Sequence, residues 1–206
     1  MKQVNREAYS FGSYTDLARW ASYHYQIDEV LIVSPRTVLE IGGGDGVLRS
    51  YLKENTDIAY TSVDTADDLI PDVVGSVLKL PFADASFDLV CAFEVLEHLP
   101  FEQFEIALKE IARVSKTDIM ISLPHFGPQI KFSLKVPFLR EFRWSCKIPF
   151  PKEHLFNGQH YWEIGKKGFS YGKIVDLLSE HLDVMRHYVP FENGYHHFFI
   201  GKKKNR

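Results

Sequence analysis

The spacing of apolar residues changes several times along the chain, and each change marks a predicted element. Over residues 15–33, Leu17, Trp20, Ala21, His24, Ile27, Val30 and Leu31 recur at roughly helical intervals, with Tyr23 and Tyr25 beside them. This predicts one or two N-terminal helices, stopped by Pro35. Short β-branched runs follow. Residues 37–41 (Thr-Val-Leu-Glu-Ile) read as a strand, Gly42-Gly43-Gly44-Asp45-Gly46 as a tight turn, and Val47, Leu48, Tyr51 and Leu52 as the apolar side of a helix. Residues 58–63, ending at Asp64, and the shorter run 72–77 read as second and third strands. The nearly unbroken apolar run 87–93 has the character of a strand covered on both faces. Helical spacing returns in 101–115 through Phe104, Ala107, Leu108, Ile111 and Val114, and 118–123 gives a fifth strand closed by Pro124. Near the end, a helix over 171–181 precedes runs 184–189 and 195–201, an antiparallel pair at a sheet edge around the turn residues Phe191-Glu192-Asn193-Gly194.

Strands alternating with helices predict an α/β fold, a Rossmann-like three-layer sandwich with a mostly parallel sheet. Its 206 residues suit one domain: N-terminal helices over 1–34, a core over 35–124, an insertion over 125–162 after strand five, and a C-terminal helix and edge strands over 163–206. The insertion is too long for a bare loop, which marks it as a functional cover with structure of its own. Gly127-Pro128 and Pro137 are placed to open and close a helix, while the alternation Ile130, Phe132, Leu134, Val136 argues equally for a strand. A helix is the preferred reading.

Composition narrows the function. Lys+Arg 24 against Asp+Glu 27 gives a net charge of −3, which argues against a generic nucleic-acid binder, so no DNA partner is expected. No apolar run approaches the roughly 18 residues of a membrane span, and no apolar core of a signal peptide follows Met1. The two cysteines, Cys91 and Cys146, have no metal-ligand spacing, so a cytoplasmic setting is expected. Charge is uneven, however. In the insertion Lys131, Lys135, Arg140, Arg143, Lys147 and Lys152 face only Glu141 and Glu153, interleaved with Phe126, Phe132, Phe138, Phe142, Trp144, Phe150, Phe156, Tyr161 and Trp162. That is either an apolar, cationic lid for an anionic or amphiphilic acceptor, or a peripheral membrane contact, or an accessory layer with its aromatics packed on the sheet.

A glycine turn after a first strand lets backbone N–H groups approach a polar cofactor. The dinucleotide fingerprint fails here, because its third glycine would fall on Val47 or on Arg49. Glu40-Ile41-Gly42-Gly43-Gly44-Asp45-Gly46 instead resembles the first motif of the class I S-adenosylmethionine-dependent methyltransferases. Thr61-Ser62-Val63-Asp64, the run from Gly75 through Leu80-Pro81-Phe82 to Val90, Phe93-Glu94-Val95-Leu96-Glu97-His98-Leu99, and Leu108-x-Glu110-x-x-Arg113-Val114 resemble the later segments of the same family in order. The likeness is densest over residues 35–124 and is to the small-molecule, type 11-like branch.

That resemblance implies a sheet of seven strands and S-adenosyl-L-methionine as cofactor. It implies that Gly42, Gly43, Gly44, Asp45 and Gly46 receive the methionine and ribose parts, that Glu40 organises the loop and favours the ammonium end, and that Asp64 takes both ribose hydroxyls. Ser76 and Val77 would flank the adenine, with Phe93 and Glu94 completing the site. Two departures stand out: Ser76 occupies a place often held by an acid, and Thr65 one often held by a bulky apolar residue.

Glu94 and His98 lie just after strand four, at the sheet edge where ligands bind, and either can deprotonate or orient an acceptor. Alternatively, Glu94 contacts the cofactor while His98 packs under the loop. His125, directly after strand five, is a third catalytic candidate. His154 and His160 read as loop residues, and His196-His197 as an edge pair with one ring inward and one toward solvent. None has the spacing of a metal motif, so no metal is expected. The function implied is methyl transfer to a small or amphiphilic metabolite. The rival readings are an RNA or protein methyltransferase, against which no Asn/Asp-Pro-Pro-Tyr segment follows strand four, and a non-catalytic cofactor-binding partner protein.

Overall fold

The computed structural model describes Tyr9 and residues 14–204. The N-terminal run forms one helix, α1 (Leu17–Val33). Asp16 Oδ1 caps it by accepting the Arg19 N–H at 2.8 Å, and Ser34 ends it in the left-handed region at φ 51°. Its buried face is not the apolar one the spacing predicts. Ser22, Tyr23, Gln26, Glu29 and Val30 are buried, while Leu17 is 86% exposed and Trp20 is exposed. Polar partners from the far end of the chain explain the rotation. Asn193 Nδ2 donates to Ser22 Oγ at 2.9 Å, and Glu29 accepts the Tyr188 hydroxyl at 2.7 Å and pairs with Arg186.

After Pro35 the chain runs β1 (Thr37–Ile41), α2 (Val47–Asn55), β2 (Ala59–Asp64), β3 (Val73–Val74), β4 (Phe87–Phe93), α3 (Phe104–Val114) and β5 (Ser115–Pro124). The insertion supplies β6 (Gln129–Leu134) and β7 (Phe142–Lys147), and then come α4 (Tyr171–Ser179), β8 (Leu182–Tyr188) and β9 (His196–Lys203). Among the described residues seven strands form one sheet in the order β3-β2-β1-β4-β5-β9-β8. Neighbours from β3 to β5 pair in parallel, and β9 runs antiparallel to both β5 and β8. The strand order reverses between β1 and β4, so the crevice at their carboxyl ends is where such a sheet receives a ligand.

The third strand is shorter than the expected run of 72–77. Gly75 donates its N–H to the Asp64 carbonyl at 2.9 Å and the chain then turns away through Ser76 and Lys79. Both sheet faces are covered. Leu39, Ile41, Phe104, Leu108, Ile111, Trp162 and Ile174 cluster on one face, and Val30, Val38, Leu48, Leu52, Leu89, Met120 and Phe198 on the other. Polar pins fix the connecting loops. Arg113 Nη1 donates to the Phe82 carbonyl (2.8 Å) and its Nη2 to the Leu80 carbonyl (3.0 Å), while Glu110 accepts the Leu80 N–H (2.8 Å).

The helix expected at Gly127-Pro128 is a β-hairpin. Ile130, Phe132 and Leu134 stand opposite Cys146, Trp144 and Phe142, so the period-two alternation puts apolar groups on one face and Lys131, Ser133, Arg143 and Ser145 on the other. Pro128 precedes the first strand instead of opening a helix, and Pro137 and Phe138 (φ 68°) lie in the connection. Pairing across strands satisfies the backbone where a helix would have split this apolar face. The face remains about half exposed at Phe132 (51%) and Trp144 (49%). At the root, Lys147 Nζ donates to the carbonyls of His125, Gly127 and Gly194. Trp162, at the other end of the insertion, is fully buried and donates its indole N–H to the Leu99 carbonyl at 3.1 Å. His196 and His197 are both buried, contrary to the expected inward-outward split, because Tyr171 and His187 pack on the His197 ring while His196 lies against Tyr195 with its Nε2 3.5 Å from Glu94 Oε2. No helix among the described residues is long and apolar enough to cross a membrane.

Candidate active site

Two cavities open at the carboxyl ends of β1, β2 and β4 and share Tyr9, Gly42, Glu94 and His98 in their walls. The first, about 400 Å³, lies between the glycine turn, α1, the segment after β4 and residues 159–160. The second, about 330 Å³, lies over Val63, Asp64, Gly75, Ser76, Val77 and Val95.

The glycine turn forms the floor between them. Gly42 sits at φ +70°, and a Cβ there would meet Val95 Cγ2 at 2.3 Å. Only glycine lets the backbone pass that close. Gly44 (φ +50°) faces the Tyr9 ring, where a Cβ would come within 3.3 Å, and Gly46 starts α2 in the left-handed region. Asp45 accepts the Tyr23 hydroxyl at 2.6 Å, which ties the turn to α1. Glu40, buried beneath the turn, accepts from the Tyr60 hydroxyl, and burial pushes its pKa up to about 7.

Of the other expected residues, Asp64 lines the second cavity with Oδ1 accepting the Ala66 N–H at 2.8 Å, its pKa raised by burial. Ser76 Oγ accepts the Leu78 N–H at 3.2 Å, and Val77 is buried against the same cavity. Phe93 lines the first cavity. Glu94 lines both, with a left-handed backbone (φ 54°) and Oε2 3.5 Å from His196 Nε2; burial raises its pKa to about 7. His98 lines both cavities, its Nδ1 bonded to the Gln159 carbonyl at 3.1 Å, and burial lowers its pKa to about 4. His125 lines neither cavity. It stacks on Tyr171 and His197 and contacts His197 Nδ1 at 2.9 Å.

Several wall residues were not among those expected. Tyr14, Arg19, Tyr23 and Gln26 come from α1 and its approach, and their signal was a helical stripe of polar and tyrosine residues out of phase with the apolar one. Glu97, fully buried, and His160, Gln159, Tyr161 and Tyr195 complete the walls. No hairpin residue over 129–147 lines either cavity; from the insertion only residues 159–161 do. Four acidic side chains, from Glu40, Asp45, Glu94 and Glu97, therefore face the first cavity beside the Arg19 guanidinium; burial raises the pKa of Glu40, Glu94 and Glu97, so their charged forms are favoured where a ligand bearing positive charge meets them.

Residues 39–121 match the family of methyltransferase domains. Over those residues the chain is similar to a methyltransferase domain. No curated protein matches the chain. Solved structures do. The chain is similar to the PH0226 protein of Pyrococcus horikoshii (16% identity over 98% of this chain and 100% of the other, TM-score 0.62). It is also similar to the N-methyltransferase NodS of Bradyrhizobium japonicum, solved with S-adenosyl-L-homocysteine (12% identity, 97% and 96% covered, TM-score 0.63). A third is magnesium protoporphyrin IX methyltransferase of Synechocystis (13% identity, 97% and 92% covered, TM-score 0.62). At these identities the likeness is one of fold. The residues present suit S-adenosylmethionine, the cofactor that the sequence resemblance implies: the Gly42 floor admits no Cβ, and an acidic first cavity adjoins a second one lined by Asp64 and apolar groups.

Proposed function

We propose that the enzyme methylates a small, amphiphilic metabolite whose polar end enters the first cavity beyond the glycine turn. The observation that supports this best is the shape of that cavity: past Gly42–Asp45 it continues to a wall of Tyr14, His98, Gln159, His160 and Tyr195, which leaves room beside the cofactor for a second, polar group. When bound, the cofactor supplies an electrophilic methyl carbon on a sulfonium. In this reading Asp64 accepts from the ribose diol through the oxygen edge it turns to the second cavity, and Ser76 and Val77 flank the adenine. The Gly42–Gly46 turn carries the amino-acid part, and Glu40 and Asp45 supply the negative potential for its ammonium end.

Positioning supplies much of the rate of an in-line methyl transfer. His98 is suited to orient an acceptor: it lines both cavities, and its Nδ1 faces the Gln159 carbonyl and so carries the hydrogen. Held neutral by burial, it orients an acceptor near neutral pH. Glu94 lies at the junction of both cavities and can serve cofactor and acceptor alike. His125 has no part in this reading. The hairpin's apolar face, with Lys131 and Arg143 on its other side, suits the apolar part of such an acceptor or the lipid surface that carries it, and the hairpin's root adjoins Tyr195 through Gly194. Two unpaired thiols, Cys91 buried within β4, fit a cytoplasmic setting.

The test is an assay with methyl-labelled cofactor on metabolite and lipid extracts, with calorimetry of cofactor binding on the same protein. Label should enter a low-molecular-weight product, and Asp64→Ala should weaken cofactor binding by about 1.5–3 kcal/mol per charged hydrogen bond lost. Label found only in RNA or protein would overturn the acceptor class.

A further inference from the structure

More than half of the large apolar side chains left exposed among the described residues lie within 130–156, on and beside the β6–β7 hairpin. A contiguous apolar surface of that kind marks a place of contact. It is sharpest at the connection between the two strands, where Phe138 is fully exposed and Val136 and Leu139 are exposed beside it. Phe138 stands at φ 68°, a conformation that glycine or asparagine usually fills, so the ring is held at the apex against its own backbone preference. The polar backbone of this tip is satisfied from within. The Leu139 N–H donates to the Val136 carbonyl at 3.2 Å, the Lys135 ammonium donates to the Leu139 carbonyl at 2.8 Å, and Pro137 carries no N–H. A tip with few backbone groups left for water enters an apolar medium at low cost.

The charges beside the tip decide which medium that is. Lys135 and Arg140 bracket Phe138, and Lys152 follows Phe150. The acids nearest in sequence are engaged with other groups: Glu141 with Ser133 and Arg143, and Glu153 with Lys167. Lys131 and Arg143, on the polar face, lie over the Phe191 ring and bond to Glu192, so they belong to the body of the protein. What remains at the surface is a set of rings and aliphatic groups with uncompensated cations one or two positions back, on a chain whose net charge is −3. That arrangement is complementary to a layer that is apolar inside and negative at its edge, because the stems of Lys and Arg lie along apolar surface while their heads reach the anions. A second copy of the chain fits the patch less well. Two-fold pairing of one face on itself would set the same cations against each other.

We propose that the β6–β7 hairpin docks this protein on an anionic lipid bilayer, with Phe138 and Leu139 entering the interface and Lys135 and Arg140 meeting the headgroups. Each cation near an anionic surface strengthens binding roughly fivefold, so a few of them with two or three inserted side chains give an attachment that is reversible and sensitive to salt. The docking itself needs no methyl transfer. That it brings the cavity to an acceptor held in the bilayer rests on the methyl-transfer reading above. The root of the hairpin joins the two: Lys147 Nζ donates to the Gly194 carbonyl at 3.0 Å, one position before Tyr195 in the wall of the first cavity.

The experiment sediments the full-length protein with vesicles of phosphatidylcholine alone and of phosphatidylcholine mixed with phosphatidylserine, at low and at high salt. Binding should be about tenfold or more stronger to the anionic vesicles and should fall as salt is raised. Phe138→Ala combined with Leu139→Ala should weaken it by about tenfold. Lys135→Gln combined with Arg140→Gln keeps a donor for the Leu139 carbonyl and should remove most of the preference for the anionic lipid. Ile106→Ala, at an exposed apolar position of α3, should leave binding unchanged. Melting curves of the tip variants should match the wild type, since the altered side chains are exposed. Equal binding to both vesicle types, binding to neither, or binding indifferent to the tip substitutions would overturn the proposal. So would self-association, seen by sedimentation velocity, that the Phe138 and Leu139 substitutions abolish, because a second copy would then cover the face. Calorimetry with S-adenosyl-L-homocysteine on the same protein keeps the two readings apart: vesicle binding without it defeats the methyl-transfer reading alone, and the reverse defeats the docking alone.

Discussion

Residues 35–124 and the hairpin of residues 129–147 are both rich in apolar positions, yet one buries them and the other does not. In β4, Leu89, Val90, Cys91 and Ala92 are fully buried between two layers, and the loops around them are fastened by charged groups such as Arg113. In the hairpin, Phe132, Phe142 and Trp144 share one face that no other described element covers, and each is about half exposed. The hairpin holds its shape through its own cross-strand pairs, one ammonium at its root, and Lys131 and Arg143 of its polar face, which lie over the Phe191 ring and bond to Glu192. Identical residue types thus serve a core in the first region and an outward surface in the second. What separates them is whether a second layer lies opposite.

Trp162 breaks that division most sharply, because it belongs to the insertion by sequence and to the core by packing. Its ring meets Phe101 and Phe104 at centroid distances of 5.2 and 4.8 Å. Trp162→Ala should lower stability by about 3–5 kcal/mol, the range for large buried aromatics, as read by denaturant unfolding. A loss under about 1 kcal/mol would mean that the insertion contributes nothing to the core. Next in size is Lys147. Its ammonium satisfies three carbonyls, and burial lowers its pKa to about 8. Lys147→Met keeps the stem and removes the donor, so about 2–3 kcal/mol should be lost. Hydrogen exchange should then speed up in the hairpin and at residues 194–195 while β1 and β4 stay protected. Uniform acceleration over the whole sheet would show that the hairpin is no separate unit.

How far the sequence reveals the molecule depends on whether the chemistry is local. The glycine turn, Asp64 and the Glu110–Arg113 clamp are legible because neighbours in sequence do the work or because a positive φ demands glycine. The buried face of α1 is not legible, since Ser22 and Glu29 go inside only because Asn193, Arg186 and Tyr188 arrive to meet them. The hairpin was ambiguous on its own residues: its prolines suit a helix start as well as a strand boundary, and only the pairing of Phe132 with Trp144 decides. His160 joins the site through a loop, and no periodicity could place it beside His98.

The two regions also meet in a pH response. His125, half-buried, and His197, buried, are in contact at 2.9 Å where β5 leads into the insertion, and desolvation lowers their pKa values to about 4 and about 2. A histidine with a depressed folded pKa stays neutral when folded but takes a proton when unfolded below about 6.5. Its contribution is therefore complete above pH 6.5 and is lost as pH falls toward 4. Glu40 acts in the opposite sense: its folded pKa, raised to about 7, means the folded state holds a proton that the unfolded state releases above about 4.5, so stability falls as pH rises through 7. Two histidines outweigh one carboxyl below pH 6.5, so unfolding free energy measured against pH should decline on both sides of a maximum at about pH 6.5–7, by something on the order of 2 kcal/mol at pH 4. His197→Phe should flatten the acid limb and leave the alkaline one, and an unchanged acid limb would remove this pair from the account.

The smallest stability effect should come from the residue that most resembles Trp162 in sequence and least in surroundings. Trp144 lies at the centre of the hairpin's apolar face, opposite Phe132 and 49% exposed. With no layer against it there is no cavity to create, so Trp144→Ala should move stability by less than about 0.5 kcal/mol. Cofactor affinity should be equally unmoved, because no residue of the hairpin reaches either cavity. What should change is the use of an amphiphilic acceptor. Removing the ring takes apolar area from the face proposed to receive an acyl or aromatic tail, so the acceptor's KM should rise while kcat with a short, polar analogue stays as it was. Paired kinetics with a long-tailed and a truncated acceptor read this directly. If both acceptors respond alike, or neither does, the exposed face has no hand in acceptor choice and the contrast between the two regions is one of packing alone.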